Sequence, residues 1–152
     1  MTKESLRIIL FFFTIFLIVQ ALSGISLFVV KIGYNPAHIA EYFLGSEDEF
    51  IKAKSFWGLL EVAVPHLVGI SIYILVMGHF LFLFPLKKGL IVSVTYLASL
   101  GDVLSGFLIR YGGAFFSPFK ILFFVLFELT ICYFIGMLVI ALFQDKFFPD
   151  RV

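Results

Sequence analysis

Long apolar runs separated by short polar breaks dominate the chain. Four runs stand out, at roughly 8–30, 56–84, 89–109 and 118–143. Each supplies the ~20 residues that a helix rising ~1.5 Å per residue needs to cross a bilayer core. The predicted fold is therefore all-α: an antiparallel four-transmembrane-helix bundle, with residues 1–152 forming one membrane domain. The first run stays apolar from Ile8 to Val30, longer than the core of a signal peptide, and has no small-residue cleavage site. It is predicted to be retained as a span.

The breaks are unequal, and the longest, residues 31–55, carries helix punctuation. Asn35-Pro36 reads as an N-cap followed by proline at the first helical position, and Gly45 supplies a stop. Ser46-Glu47-Asp48-Glu49 matches a capping box, and Ser55 is placed to cap the second span. The break is thus predicted to be a short helical extracytoplasmic loop across the mouth of the bundle. Ile39, Tyr42, Phe43 and Phe50 are expected to meet the membrane interface.

Composition agrees with the pattern. Hydrophobic residues make up 62% and charged residues 14% of 152, whereas soluble domains are about half apolar. The 22 phenylalanines read as bulk apolar surface in such a chain. The single cysteine, Cys132, excludes an intramolecular disulfide and any CxxC chemistry. A formal net charge of +1 without a basic stripe gives no support to nucleic-acid binding. No internal repeat, phosphate loop, GxGxxG or HExxH is present, and no activating histidine is identifiable at the depth of Cys132, so an enzyme in its own right is not expected.

Basic residues flanking spans tend to remain cytoplasmic. One side has six, Lys3, Arg7, Lys87, Lys88, Lys146 and Arg151; the other has five, Lys31, Lys52, Lys54, Arg110 and Lys120. The density of Lys87-Lys88 after Pro85, against an opposing loop that also carries Glu41, Glu47, Asp48 and Glu49, favours cytoplasmic N- and C-termini in a bacterial inner membrane.

Ionisable groups inside hydrocarbon are costly, at about 2.5–3.5 kcal/mol each on insertion scales, and carry a functional hypothesis by default. Here they are Glu61, His66, His79, Asp102 and Glu128, joined by Gln20. Helical spacing places Thr95, Ser99, Asp102 and Gly106 on one stripe, Glu128, Cys132 and Gly136 on another, and Gln20 and Gly24 on a third. Such seams serve close helix packing and interhelical hydrogen bonding. Gln20, His66, Asp102 and Glu128 fall within roughly 10 Å of one depth, so a simple bundle would gather them into one polar cluster. With Glu61, these groups are the candidate metal ligands or proton carriers. Pro65 removes a backbone donor and is predicted to kink the second span beside Glu61 and His66.

His66 and His79 are candidate axial ligands for haem b, with His38 in the loop as a third. They lie 13 residues apart, ~20 Å along a helix but ~140° apart around it. Partner ligands would then come from His38, a second copy or another subunit.

The segment Lys54-Ser55-Phe56-Trp57-Gly58-Leu59-Leu60-Glu61, continuing to Pro65-His66 and Gly78-His79, resembles a group of small bacterial four-helix inner-membrane proteins of unassigned function. The similarity covers chiefly the first loop and second span, about a third of the chain, and implies that this segment is the working part. Three functions remain open: a b-type-cytochrome-like redox subunit in or beside a respiratory complex, a cofactor-free accessory or scaffold subunit, and a proton or metal-cation pathway. The bilayer is one partner, and a homo-oligomer or larger membrane complex is expected.

Overall fold

The computed structural model describes residues 3–81 and 88–144. Five α-helices follow in order: α1 (Lys3–Lys31), α2 (Pro36–Leu44), α3 (Phe56–Leu81), α4 (Lys88–Gly112) and α5 (Ser117–Phe143), with a 3₁₀ turn over Ala114–Phe116 joining the last two. Four of them, all but α2, are long and apolar enough to cross a membrane. The spans agree closely with the apolar runs. The main extension is at α1, where the polar Lys3–Arg7 turn continues the helix beyond the hydrocarbon run. The connection through Pro85 and Lys87, together with Lys146 and Arg151, lies outside the described residues.

Side-chain size sets the arrangement. On α4 the positions Thr95, Ala98, Ser99, Ser105 and Ile109 are buried, and the small members let α5 come close. One close approach is at Gly101, where an added Cβ would lie 2.6 Å from the Phe123 ring. Thus α4 and α5 form the central pair, α1 packs on α5, and α3 packs mainly on α4. Phe28 of α1 stacks on Phe124 of α5 at 3.7 Å. Phe13 of α1 and Phe80 of α3 meet at 5.1 Å near the end that bears the termini.

The seam hydroxyls do not bridge helices. Thr95 donates to the Ile91 carbonyl at 2.7 Å, Ser99 to Tyr96 at 2.9 Å and Ser105 to Asp102 at 2.6 Å, all within α4. Each hydroxyl is satisfied by its own helix, so the seam works through small volume. Two other expected stripes are split: Glu128 and Gly24 meet each other, whereas Cys132 and Gly136 are exposed on α5 and Gln20 is exposed on α1 beside the buried Ala21. One residue is ~100° of helix, which is enough to turn a group from seam to lipid.

The loop follows its punctuation. Asn35 accepts the Ala37 N–H at 2.9 Å, and the Gly45 N–H closes α2 on the Glu41 carbonyl at 2.8 Å. Ser55 accepts the Gly58 N–H at 3.0 Å and so caps α3. The Ser46–Glu49 match forms a turn, not a helix, because Ser46 and Ile51 exchange both backbone bonds at 2.9 Å. Ile39 and Phe43 are buried against Leu59 and Ile109 instead of lying at the interface. They form an apolar plug between α2 and the bundle, while Phe50 is 96% exposed. Arg110 pins the loop by donating to the Lys54 carbonyl at 2.7 Å.

Gly101→Ala should therefore destabilise the protein by about 1–3 kcal/mol, the usual cost of overpacking. Gly136→Ala, where an added Cβ meets nothing within 4 Å, should be neutral or stabilising by up to about 1 kcal/mol. Unfolding of both variants in detergent, followed by circular dichroism, checks the contrast.

Candidate functional site

Lys120 occupies the first turn of α5 and would ordinarily extend toward the interface. It turns inward instead. Its Nζ lies 2.8 Å from Asp102 Oδ1, with only 10% and 16% of the two side chains exposed. The same ammonium donates to the Asp102 backbone carbonyl at 2.9 Å, an oxygen that also accepts from Ser105. Asp102 lies ten residues before Gly112, or ~15 Å along α4, so the pair is well inside the span. One cation thereby answers both a carboxylate and a backbone oxygen across the α4–α5 seam.

Glu128 stands two turns further along α5, ~12 Å from Lys120 along the axis. Its carboxylate is within electrostatic reach of Asp102 and of Tyr73 on α3. On the α1 side it abuts Gly24, where an added Cβ would be 3.2 Å from Oε1. Among the described residues no donor hydrogen-bonds the buried Oε2, and the buried Tyr73 hydroxyl also has no hydrogen-bond partner. Tyr73 is held edge-on to Phe127 and Phe134 of α5, at 6.3 and 6.4 Å. All four spanning helices thus contribute to the cluster: Gly24, Tyr73, Asp102, and Lys120 with Glu128.

Only two of the expected cluster members are in it. Asp102 and Glu128 come together. Gln20 is exposed on α1, Cys132 is exposed on α5, and Glu61, Pro65 and His66 are exposed on α3. The reason is azimuth: Gln20 and Cys132 face away from the core that their neighbours Ala21 and Ile131 join, and residues 64–69 of α3 are all exposed, so equal depth does not bring side chains together. The helix α3 is continuous through Pro65.

His66 lies seven residues before Tyr73, two turns away on the same stripe. It is exposed because α3 has no close neighbour there. Its Nδ1 is 2.7 Å from the Val62 carbonyl, so that nitrogen carries the proton and Nε2 points outward. His79 is exposed further along α3, and His38 is exposed on α2, 3.9 Å from Glu41. Ligand atoms of His38, Glu41 and Glu49 all lie within 4.8 Å of one another. Glu61, His66, Asp102 and Glu128 form no such group among the described residues.

Sequence reasoning missed Lys120 and Tyr73, whereas Gly24 was read as part of a seam and does meet Glu128. Lys120 was counted among flanking cations, although it shares a stripe with Phe124 and Ile131, both buried. A tyrosine in mid-span also requires a polar neighbour, which was a readable signal.

Four spanning helices with a polar cluster at their centre define a multi-pass integral membrane protein. Within that class, residues 33–147 match a family model described as a transmembrane helical domain, and the chain belongs to that family. The match takes in α2 to α5 and hence Tyr73, Asp102, Lys120 and Glu128. No curated protein and no solved structure matches.

Lys120→Met leaves a buried carboxylate without its cation and should cost about 3–5 kcal/mol. Adding Asp102→Asn should restore most of that loss. Unfolding of the single and double variants in detergent measures the coupling.

Proposed function

We propose that the protein is a proton-handling subunit of a bacterial inner membrane, with Glu128 as the group that takes up and releases the proton. The observation that carries this reading is the contrast between two half-buried carboxylates. Both have one buried oxygen outside any hydrogen bond, but Asp102 Oδ1 lies 2.8 Å from the Lys120 ammonium, whereas among the described residues no such cation stands beside Glu128. In hydrocarbon, a carboxylate without a fixed cation is neutralised most cheaply by an exchangeable one, and carboxylates in spans mark proton and ion pathways for that reason.

The remaining parts take roles around it. Tyr73 has a hydroxyl that both donates and accepts, which suits a relay to or from Glu128. His66 stands two turns nearer the loop side on the same stripe, at the approach to the cluster. The Asp102–Lys120 pair holds α4 against α5 as a frame. The termini are cytoplasmic on this reading. The exposed Glu61 and His79 face a second copy or another subunit of a larger complex. Proton and cation fluxes belong in one assay.

In proteoliposomes carrying a trapped pH dye, an imposed potential should drive proton movement through the wild-type protein. Glu128→Gln should slow it by on the order of a hundredfold, as loss of one positioned proton-transfer group does. Asp102→Asn should disturb stability as well as flux. A wild type that passes no more protons than empty vesicles, or a Glu128→Gln variant that conducts normally, removes the reading.

A second reading rests on His66. Histidines that ligate metals usually spend their other ring N–H on a carbonyl or carboxylate, and His66 spends its Nδ1 on Val62. His66 and His79 share one unbroken helix and cannot bind the same iron, so a haem b would take its other ligand from His38, a second copy or another subunit. Purified protein from haem-replete cells should then show a Soret band and a sharpened α band on reduction. His66→Ala should abolish them, while His79→Ala and His38→Ala separate ligand from bystander. A colourless, folded preparation removes this reading.

A further inference from the structure

The loop between the first two spans carries polar chemistry of its own, away from the Glu128 cluster. Asn35 and Pro36 fix where α2 begins, which puts His38 and Glu41, three positions apart, on one stripe of that helix. The opposite stripe is anchored, since Ile39 and Phe43 are buried against Leu59 and Ile109. Beyond α2, Ser46 and Ile51 exchange both backbone bonds at 2.9 Å. The turn they close carries Glu49, whose N–H reaches Ser46 Oγ at 3.4 Å. Helix and turn thereby meet at three side chains, and ligand atoms of His38, Glu41 and Glu49 all lie within 4.8 Å of one another.

Charge around the three is unbalanced. Two carboxylates are drawn together, yet among the described residues no lysine or arginine is ion-paired with either of them. Glu41 has His38 alone, with Nδ1 3.9 Å from its Oε2, and Lys54 stands over the Tyr42 ring at 4.2 Å instead. Glu47 and Asp48, exposed in the same turn, add to the negative field.

One imidazole with two carboxylates is a ligand set of mixed hardness. Calcium and magnesium take oxygen donors, whereas nitrogen and oxygen donors together suit zinc and its neighbours. Zinc bonds such donors at about 2.0–2.2 Å, so two donors on one ion stand at most about 4.4 Å apart. The 4.8 Å that bounds the trio needs only a small rotation of exposed side chains to close on an ion.

We propose that His38, Glu41 and Glu49 bind one divalent transition-metal ion, best matched by zinc, which fastens α2 to the turn behind it. Three protein donors leave the fourth position of a tetrahedral ion to water or to a group on another molecule. The site shares no residue with the Glu128 cluster, so it stands or falls apart from the proton reading. With an ion in place His38 is no haem ligand, and a haem on His66 needs its partner from a second copy or another subunit.

The test is a titration of Zn²⁺ into the untagged full chain in detergent, stripped beforehand with a chelator and read by calorimetry and by thermal unfolding. One Zn²⁺ per chain should bind, at least about tenfold more tightly than Ca²⁺, and should raise the unfolding temperature. His38→Ala, Glu41→Gln and Glu49→Gln should each weaken Zn²⁺ binding by at least about tenfold, no less than disturbing a ligand's surroundings costs. Asp48→Asn, next to Glu49 and equal to it in charge, should bind as the wild type does. If one of the three ligand variants misfolds, the other two decide. A wild type that takes up no Zn²⁺ overturns the proposal, and so does undiminished binding by His38→Ala. Ca²⁺ binding as tight as Zn²⁺, or a loss in Asp48→Asn equal to that in Glu49→Gln, overturns it too, since either is the behaviour of a diffuse acidic surface.

Discussion

A charge in hydrocarbon must find its counter-charge within the protein, and the bond between Lys120 and Asp102 is where this chain meets that demand. The pair crosses the seam between α4 and α5, the two helices against which the others pack. Small side chains allow the approach, with Gly101 under Phe123 as one close point, but apolar contact alone separates helices from lipid only weakly, because lipid tails are as apolar as the helices. A buried ion pair adds what packing lacks: it penalises any register or rotation that leaves either group alone. Once α4 and α5 are fixed, Phe28 stacks α1 onto α5, Tyr73 brings α3 to the same centre, and Ile39 and Phe43 close the loop end.

The fold was largely legible because its causes are local. Apolar length marks a span without reference to any other residue, and Asn35, Pro36, Gly45 and Ser55 act on backbone groups a few positions away. The Ser46–Glu49 match was half realised: the Glu49 N–H reaches Ser46 Oγ at 3.4 Å, but Ser46 also pairs with Ile51 through the backbone, and that leaves a turn where the capping pattern alone implied a helix. Ile39 and Phe43 likewise needed knowledge of Ile109 and Leu59 before they could be placed in a core.

The site was half legible. Asp102 and Glu128 could be named because a carboxylate in a span is conspicuous wherever it points. Their surroundings could not be, since depth was readable from residue number but azimuth was not. Gln20 and Cys132 miss the interior by small rotations, and His66 misses it because α3 lacks a neighbour at that height. Lys120 was hidden by the habit of reading a lysine at a span's end as an interface anchor. Its partner is decided by which helix stands opposite, and that is a property of the packing order.

Two half-buried carboxylates in one bundle therefore have different standing. Asp102 is committed to Lys120, and Glu128, placed between Gly24 and Tyr73, is the group to which the proposed function gives the proton. The most direct test is an infrared difference spectrum of the reconstituted protein while the bulk pH is stepped. The expected result is a protonated-carboxyl stretching band that gains and loses intensity with pH, is absent from Glu128→Gln and persists in Glu61→Gln. A spectrum without such a band, or one unchanged by Glu128→Gln, would contradict the assignment of Glu128 as the exchanging group.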